Sequence, residues 1–369
     1  FMSKFLKIPI SPLMGSSLIN YIKVILSNNI SSRYYLHVFL TFLVVILISP
    51  FQLIDKIIFL FKRNKNKKRD PIFIIGHWRS GTTLLHNLLC TNKDLGFINT
   101  YNSLFINNIY TSFLFKTLMK ITMPKERPSD KIKLDVDLPQ EDEFAVSNFI
   151  DISHYNFFFF PNNYKKFYSE AIRFENNKSS KWLNAYYKLL KRINLYTNKS
   201  QLIIKNPSNT ARIKLLLKKY PNAKFIHIYR NPVYVYLSTF KFFSELFPSV
   251  NLQNIDNKVL HNLIIYNYRE MYNDYYDQIN SIPSKNLIEI KFEEFKEDPI
   301  LYLKRIHEKL DISISDELLR TYNDYLLTQK SHKMNTYSIK KDVLEEIKKE
   351  FHIPFKKMKY KIPDNLKII

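Results

Sequence analysis

Residues 71–89 contain an apolar run, a short loop and a helical pattern, in that order. The loop is bounded by two glycines and contains an arginine and a serine. The apolar run ends at Gly76, the loop ends at Gly81, and the helical pattern begins with Thr82 and Thr83. The N-terminus of a helix presents unpaired N–H groups and the positive end of the helix dipole, and glycine allows an anion to approach the backbone closely. The sequence therefore predicts an anion-binding loop. Its candidate ligands are Arg79, Ser80, Gly81, Thr82 and Thr83.

The glycine spacing of this loop matches that of the nucleoside triphosphate loop G-x-x-x-x-G-K-[ST]. However, Thr82 stands where that loop carries the lysine that contacts the β- and γ-phosphates. The strong donor that remains is Arg79, which suits a less highly charged group bound by one bidentate cation and several hydroxyl and backbone donors. A P-loop kinase or another NTP-dependent enzyme stays open as an alternative.

A second turn of the same kind follows another apolar run, at residues 223–238. Arg230 ends the run, Asn231 and Pro232 form the turn, and Ser238 lies two helical turns further on. Ligands of open parallel sheets bind outside the carboxyl ends of the strands. A guanidinium at such a strand end, with a hydroxyl from the following helix, is predicted to bind a second phosphate.

The loop sequence Gly-His-Trp-Arg-Ser-Gly-Thr-Thr at residues 76–83 resembles the 5′-phosphosulfate loop of sulfotransferases that use 3′-phosphoadenosine 5′-phosphosulfate (PAPS). It is similar to the branch with arginine where the cytosolic steroid and phenol enzymes carry lysine. The resemblance implies sulfuryl transfer from PAPS without a metal. It also implies that Arg230 and Ser238, eight residues apart as in the family, bind the 3′-phosphate. The family commonly has Asp-Pro where this chain has Asn231-Pro232.

Two lysines acquire candidate roles from the same resemblance. Residues 201–210 resemble the family's Lys-Asn-Pro strand end, which implies that Lys205 stabilises charge on the departing phosphate or the sulfuryl oxygens. Residues 330–338 resemble its C-terminal lid, from which Lys333 would contact the cofactor.

The general base is expected among the acids of residues 138–145. Sulfuryl transfer to an alcohol requires removal of the acceptor proton. Acidic residues after Pro139 are also typical of the first turn of an ordinary helix. Composition alone therefore does not decide between a catalytic role and a helix-capping role for these acids. The Pro-Gln-Glu-Asp-Glu-Phe segment resembles the same branch, and related carbohydrate enzymes use a glutamate. Glu141 is therefore the first candidate and Glu143 the second, with His154 as the runner-up.

Short β-branched runs alternate with helical patterns after residue 70, which predicts the elements that position these residues. The clearest strands are residues 72–75, 202–205, 224–229 and 287–291. Near-continuous apolar character in the first and third indicates burial on both faces. The expected fold is α/β: a P-loop-like, doubly wound parallel sheet flanked by helices, preceded by an apolar helical N-terminal extension.

The N-terminal extension contains an apolar segment at residues 34–61, followed by the basic run 62–69. The segment fits a span kinked at Pro50, a re-entrant hairpin, a helix lying in the membrane interface, or a buried core helix. The expected division is a membrane-associated extension at 1–69 and a sulfotransferase domain at 70–369. If the segment spans the membrane, the excess of basic residues after it places the catalytic domain on the cytoplasmic side.

Composition restricts the remaining choices. A single cysteine, Cys90, excludes an intrachain disulfide and a thiolate zinc cage. The net charge of +23 attracts anions, yet no recognisable nucleic-acid module accompanies it. The absence of such a module argues against a nucleic-acid partner. The resemblance implies a small-molecule, carbohydrate or lipid-linked hydroxyl acceptor, and the apolar N-terminal segment adds a membrane surface as an expected partner. The aromatic run 155–160 is expected to divide between core packing and the wall of an acceptor pocket. A non-enzymatic basic protein that binds membranes or nucleic acid is the other alternative.

Overall fold

The computed structural model describes residues 10–63, 68–124, 126, 133–329 and 337–369. Its strands are β1 (Ile72–Ile75), β2 (Leu95–Gly96), β3 (Gln201–Lys205), β4 (Lys224–Tyr229), β5 (Leu287–Lys291), β6 (Ser338–Ile339) and β7 (Lys367–Ile368). Its α-helices are α1 (Leu18–Leu26), α2 (Tyr35–Phe61), α3 (Thr82–Leu89), α4 (Thr100–Leu104), α5 (Ser112–Thr122), α6 (Asp142–Phe149), α7 (Asn156–Phe159), α8 (Tyr164–Tyr168), α9 (Ser179–Thr197), α10 (Ile213–Lys219), α11 (Pro232–Val250), α12 (Asn257–Gln278), α13 (Phe292–Glu297), α14 (Pro299–Lys309), α15 (Asp316–Gln329), α16 (Lys341–Glu350) and α17 (His352–Lys357).

The main sheet has five parallel strands in the order β2-β3-β1-β4-β5. The predicted strands and the doubly wound α/β class are confirmed. Strand β1 lies at the centre, between β3 and β4. After β1 the chain forms β2 and β3 on one side of it and then β4 and β5 on the other side. The carboxyl ends next to such a switch point form the usual ligand crevice of this architecture. The two-residue β2 was not predicted, because so short a strand leaves no periodic pattern.

Burial of the central strands explains their sequences. All four residues of β1 are fully buried, as are the four inner residues of β4. Leu85, Leu88 and Leu89 of α3 join the same hydrophobic core, together with apolar residues of α14. Because β1 and α3 share this core, the loop that connects them is fixed at both ends.

Gly76 directly follows β1 and has a backbone conformation that other residues rarely adopt, with φ of 133°. A Cβ atom there would lie 2.1 Å from the carbonyl oxygen of Ile228 in β4. We expect Gly76→Ala to lower the free energy of unfolding by about 2–5 kcal/mol, since backbone strain and overpacking act together. Urea denaturation followed by circular dichroism measures this difference. A loss below about 1 kcal/mol would contradict the close approach of β1 and β4 at this point.

Packing divides the chain into two compact units. Unit 1 contains residues 1–63, 98–196 and 242–260, and unit 2 contains residues 64–97, 197–241 and 261–369. Every strand of the main sheet lies in unit 2, whereas unit 1 is helical. The predicted boundary between residues 69 and 70 stays a prediction, since packing does not test whether the first segment folds or inserts separately.

The apolar segment of the N-terminal extension forms one long helix in unit 1. Helix α2 continues through Pro50 without a break. Within the described part of the chain, residues Ser32–Phe61 are the single stretch with the length and hydropathy of a membrane span. Length and hydropathy alone do not separate a span from an interfacial or core helix.

Candidate nucleotide-binding site

The loop after β1 is held in a tight, partly left-handed conformation. The backbone N–H of Gly76 donates to the Thr210 hydroxyl at 2.8 Å, and the N–H of Ser80 donates to the His77 carbonyl at 3.3 Å. Arg79 has φ of 69° and Gly81 has φ of 96°. The second glycine is required for space as well as conformation, because a Cβ atom on it would lie 2.2 Å from the ring of Phe292.

Helix α3 begins directly after this loop, with Gly81 at its N-cap. The Ser80 and Thr82 side chains are buried, and Thr83 is partly buried. The first N–H groups of an α-helix have no partner within the helix, and they lie at the positive end of its dipole. The local structure therefore has the form of an anion site, as the glycine and hydroxyl pattern predicts.

Arg230 follows the neighbouring strand β4 and is partly buried beside the loop. Its Nη1 atom lies 3.5 Å from the carbonyl oxygen of Arg79. Its guanidinium carbon lies 4.9 Å from the ring centroid of Phe292 and 5.5 Å from that of Tyr234. The two cation–π contacts restrict the position of the guanidinium, whose N–H groups can still donate hydrogen bonds.

The electrostatics at Arg230 suit an anionic ligand. Burial lowers the pKa of Arg230, and the nearby Glu293 carboxylate acts in the opposite direction. No hydrogen-bond partner of its buried Nε atom lies among the described residues. A buried guanidinium nitrogen without a partner is costly, and a phosphate oxygen would satisfy it. The residues present therefore fit a phosphate group at this position.

Ser238 joins the two turns. Arg79 Nε donates to the Ser238 hydroxyl at 2.9 Å, so the arginine of the first loop contacts the serine that follows the second. Ser238 is buried on α11. The structure thus brings together Arg79, Arg230 and Ser238 at the carboxyl ends of β1 and β4, whereas the resemblance assigns Arg79 and Ser238 to opposite ends of the nucleotide.

Asn231 stabilises the second turn through its side-chain amide. Its Oδ1 accepts from the N–H of Val233 at 3.0 Å, and its Nδ2 donates to the Lys361 carbonyl at 2.8 Å. An aspartate could supply the first hydrogen bond but not the second, because a carboxylate has no N–H donor. The departure from Asp-Pro therefore adds a contact with the C-terminal segment and leaves Arg230 in place.

Lys205 lies at the carboxyl end of β3, opposite Ile74 of β1, and is buried. It is close enough to His86 of α3 to influence it. Burial, and secondarily the charge of Lys205, holds the pKa of His86 well below its usual range. His86 is consequently neutral at physiological pH.

The predicted catalytic acids lie in unit 1, and their environments differ sharply. Glu141 is partly buried at the N-cap of α6, and the Tyr155 hydroxyl donates to its Oε2. Glu143 is fully buried, and its Oε1 accepts from the Ser153 hydroxyl and from the His154 N–H, both at 3.0 Å. Glu143 therefore stabilises the following loop, and Glu141 is the more exposed of the two carboxylates. The choice of the catalytic base between them stays a prediction.

His154 is also fully buried in unit 1. Its ring centroid lies 5.0 Å from that of Phe157 and 5.5 Å from that of Tyr168. The aromatic rings of residues 155–160 are buried as well, with Phe157 and Phe158 packed against Phe243. These contacts agree with the core-packing part of the prediction for this run. Its contribution to an acceptor pocket stays a prediction.

Lys333 lies outside the described residues. Among the residues that are described, no group of three or more His, Cys, Asp or Glu side chains has a metal-binding arrangement.

Sequence reasoning missed Phe292, which contacts Arg230 and would contact any side chain at position 81. Its signal was its position immediately after β5, at the same edge of the sheet as Arg230.

Comparison with known proteins agrees with the fold and the family. The family model for the sulfotransferase family matches residues 71–316, more than half of the chain. The chain therefore belongs to the sulfotransferase family and is a transferase.

Its particular relatives include curated and structurally characterised proteins. The chain is 29% identical over 272 residues to the omega-hydroxy-beta-dihydromenaquinone-9 sulfotransferase Stf3 of Mycobacterium tuberculosis, covering 73% of this chain and 70% of that protein. Sulfotransferase STF9 from Mycobacterium avium has a TM-score of 0.64 at 16% identity, covering 80% of this chain and 78% of that one. Sulfotransferase STF1 from M. tuberculosis has a TM-score of 0.63 at 14% identity, covering 92% and 93%. These two structures share the fold with this chain.

Ser238 allows a focused test of the junction between the two turns. We expect Ser238→Ala to weaken binding of adenosine 3′,5′-bisphosphate by roughly 10- to 100-fold, because the expected hydrogen bond from the serine hydroxyl to the charged 3′-phosphate is lost. Thr239→Val is the matched control, since the adjacent buried hydroxyl has no hydrogen-bond partner among the described residues. Calorimetric titration measures both, and equal losses in the two variants would exclude a specific role for Ser238.

Proposed function

We propose that this protein transfers a sulfuryl group from PAPS to the hydroxyl of a lipid-linked acceptor at a membrane surface. The observation that carries the proposal is the convergence of Arg79, Arg230 and Ser238 at one edge of the sheet in a member of the sulfotransferase family. The loop composition further supports the branch with arginine in place of the lysine of cytosolic enzymes.

In this proposal, separate parts of unit 2 bind the two ends of the nucleotide. Gly81, Thr82, Thr83 and Ser80 offer backbone and hydroxyl donors to the 5′-phosphosulfate, and Arg230 and Ser238 bind the 3′-phosphate. Arg79 joins the two groups of ligands through its hydrogen bond to Ser238. Lys205 and the dipole of α3 stabilise the negative charge that accumulates on the 5′ side.

Bound PAPS supplies the sulfuryl group, whose bond to the 5′-phosphate oxygen breaks as the bond to the acceptor oxygen forms. The acceptor proton passes to Glu141 Oε, and the products are a sulfate ester and adenosine 3′,5′-bisphosphate. The Tyr155 hydroxyl orients the Glu141 carboxylate by donating to it. No residue of this chain has to change oxidation state, and the proposed transfer requires no metal ion.

Two observations support a lipid-linked acceptor. The first is the relative Stf3, which is named as a sulfotransferase of omega-hydroxy-beta-dihydromenaquinone-9. Helix α2 also exposes many large apolar side chains, among them Leu36, Leu47 and Leu60. Residues 1–69 then supply most of the membrane-contacting surface and 70–369 the transfer site. The cytoplasmic leaflet is the expected location, because its anionic lipids attract basic segments.

Transfer of radiolabelled sulfur from PAPS tests this function directly. The purified chain is incubated with labelled PAPS and either a prenylated quinol bearing a terminal hydroxyl or a short water-soluble alcohol, both in detergent. We expect labelled sulfate ester from the quinol and much less from the short alcohol. Absence of transfer to either acceptor, together with magnesium-dependent ATP hydrolysis, would replace the proposal with an NTP-dependent enzyme.

A further inference from the structure

Helix α2 buries three polar side chains, Thr41, Gln52 and Asp55, and exposes a stripe of apolar side chains. The buried residues follow helical spacing and include Thr41, Val45, Ile48, Gln52 and Asp55. The exposed apolar residues form a stripe on the other side, which includes Leu36, Phe39, Leu43, Leu47, Leu53, Ile57 and Leu60. A helix at the surface of a soluble domain has the opposite polarity.

The inward face of α2 is fixed to unit 1 by hydrogen bonds. Asp55 accepts from the N–H of Tyr110 at 3.0 Å and from the N–H and hydroxyl of Thr111, each at 2.9 Å. Gln52 donates to the Ser16 carbonyl at 3.0 Å. Burial raises the pKa of Asp55, with the hydrogen bonds from Thr111 and Tyr110 and the charge of Arg192 acting against it.

These contacts argue against a helix that leaves the domain to cross a bilayer. Extraction of α2 from unit 1 would place Asp55 and Gln52 in hydrocarbon and leave the N–H groups of residues 110 and 111 without their acceptor. Each such group costs free energy in an apolar medium. The outward face alone is therefore available to lipid.

Two further helices, α1 and α5, pack against α2 and expose apolar side chains of their own. The Tyr21 hydroxyl of α1 donates to the Val38 carbonyl of α2 at 2.7 Å, and the rings of Phe51 in α2 and Phe115 in α5 lie 5.3 Å apart. Both neighbouring helices also expose large apolar residues, which are Ile19, Ile22, Leu26, Phe113, Leu114, Leu118 and Ile121. We name the outward side of α1, α2 and α5 the apolar face.

The charged residues of these three helices indicate which binding partner is complementary to the apolar face. Asp55 is their only acidic residue, and it is buried. Lys23, Lys56 and Lys120 are exposed on the same helices. A second copy of the chain would oppose lysines to lysines, whereas the headgroups of anionic lipids are complementary to them.

We propose that the apolar face inserts into one leaflet of an anionic bilayer, with α2 lying in the plane of the membrane rather than across it. At 1.5 Å per residue α2 is ~40 Å long, and its exposed stripe runs along almost this whole length. Exposed Arg33 and Arg63 close to its two ends then both remain at the headgroups on the same side. The inference deepens the membrane part of the proposed function and is independent of sulfuryl transfer.

Flotation with vesicles of equal parts phosphatidylcholine and phosphatidylglycerol tests the face. The triple variant Leu47→Gln, Leu53→Gln, Leu60→Gln is expected to lower vesicle partitioning by about tenfold or more. Leu301→Gln with Leu327→Gln in unit 2 is the matched control, since these leucines are also exposed and should leave partitioning unchanged. Lys56→Glu with Lys120→Glu should weaken binding to these vesicles but not to pure phosphatidylcholine.

Cysteine labelling separates the in-plane arrangement from a span. In a Cys90→Ala background, Arg33→Cys and Arg63→Cys proteins are bound to sealed vesicles and treated with a membrane-impermeant maleimide. We expect both cysteines to react fully from outside. Protection of one of them until detergent is added would show a span and overturn the proposal.

Two other outcomes would also overturn it. The first is absence of flotation by the wild-type chain. The second is a stable dimer without lipid that the triple variant abolishes, which would assign the face to a second copy. The Arg230→Ala variant should float like wild type, so failure of the sulfotransferase proposal and failure of membrane insertion are distinguishable.

Discussion

Glu141→Gln is expected to lower kcat by about 10²- to 10⁴-fold while leaving the affinity for adenosine 3′,5′-bisphosphate unchanged. The amide cannot accept the acceptor proton, yet it has nearly the same shape and its carbonyl oxygen can still accept from the Tyr155 hydroxyl. Single-turnover transfer of labelled sulfur and calorimetric titration of the bisphosphate measure the two quantities separately.

Glu143→Gln is the matched control for this prediction. Because Glu143 is buried and accepts from Ser153 and His154, its replacement should lower the free energy of unfolding by roughly 1.5–3 kcal/mol and spare kcat in the folded protein. The reverse pattern, with kcat lost in Glu143→Gln and kept in Glu141→Gln, would move the base to Glu143.

Arg230→Ala is expected to weaken binding of adenosine 3′,5′-bisphosphate by roughly 2–5 kcal/mol, about 30- to 4,000-fold. The variant removes a guanidinium that makes cation–π contacts with Phe292 and Tyr234 and whose Nε is buried. A phosphate left opposite alanine has lost a charged donor in a partly desolvated environment, which explains the large effect.

Arg305→Ala serves as the control for Arg230→Ala. Arg305 is an exposed arginine of unit 2 that lies over the ring of Tyr302, so its removal tests the general loss of positive charge. We expect little change in affinity. Thermal unfolding of both variants checks that the fold is intact, and equal affinities in Arg230→Ala and wild type would remove Arg230 from the site.

The part of the fold that positions the site was predictable because its signals are local. Residues 72–75 and 224–229 are apolar runs that end at a glycine and at an arginine, and both became central strands with these bounds. The rule that parallel strands bind ligands at their carboxyl ends then placed Gly76 and Arg230 at one edge. Pairing of β1 with β4 confirms that placement.

Side-chain partners were less predictable, because they depend on contacts far apart in sequence. The hydrogen bond from Arg79 to Ser238 and the stacking of Arg230 on Phe292 join segments separated by many residues. Glu141 and Glu143 lie two residues apart at the start of α6, and only folding distinguishes the buried Glu143 from the partly buried Glu141.

Hydropathy could not resolve the N-terminal segment for a related reason. An average over residues 34–61 counts the apolar residues of α2 without reporting which face they occupy. The distinction depends on Asp55 and Gln52, whose partners Thr111 and Ser16 lie outside the segment. A span, an interfacial helix and a core helix therefore have similar averages and different contacts.

The preference for adenosine 3′,5′-bisphosphate over adenosine 5′-monophosphate most directly tests whether one nucleotide is held by both turns. Calorimetric titration of wild type and Arg230→Ala with both ligands isolates the energy associated with the 3′-phosphate. We predict a strong preference for the bisphosphate in wild type that largely disappears in Arg230→Ala, while affinity for the monophosphate hardly changes. An undiminished preference in Arg230→Ala would contradict the assignment of the 3′-phosphate to the turn after β4.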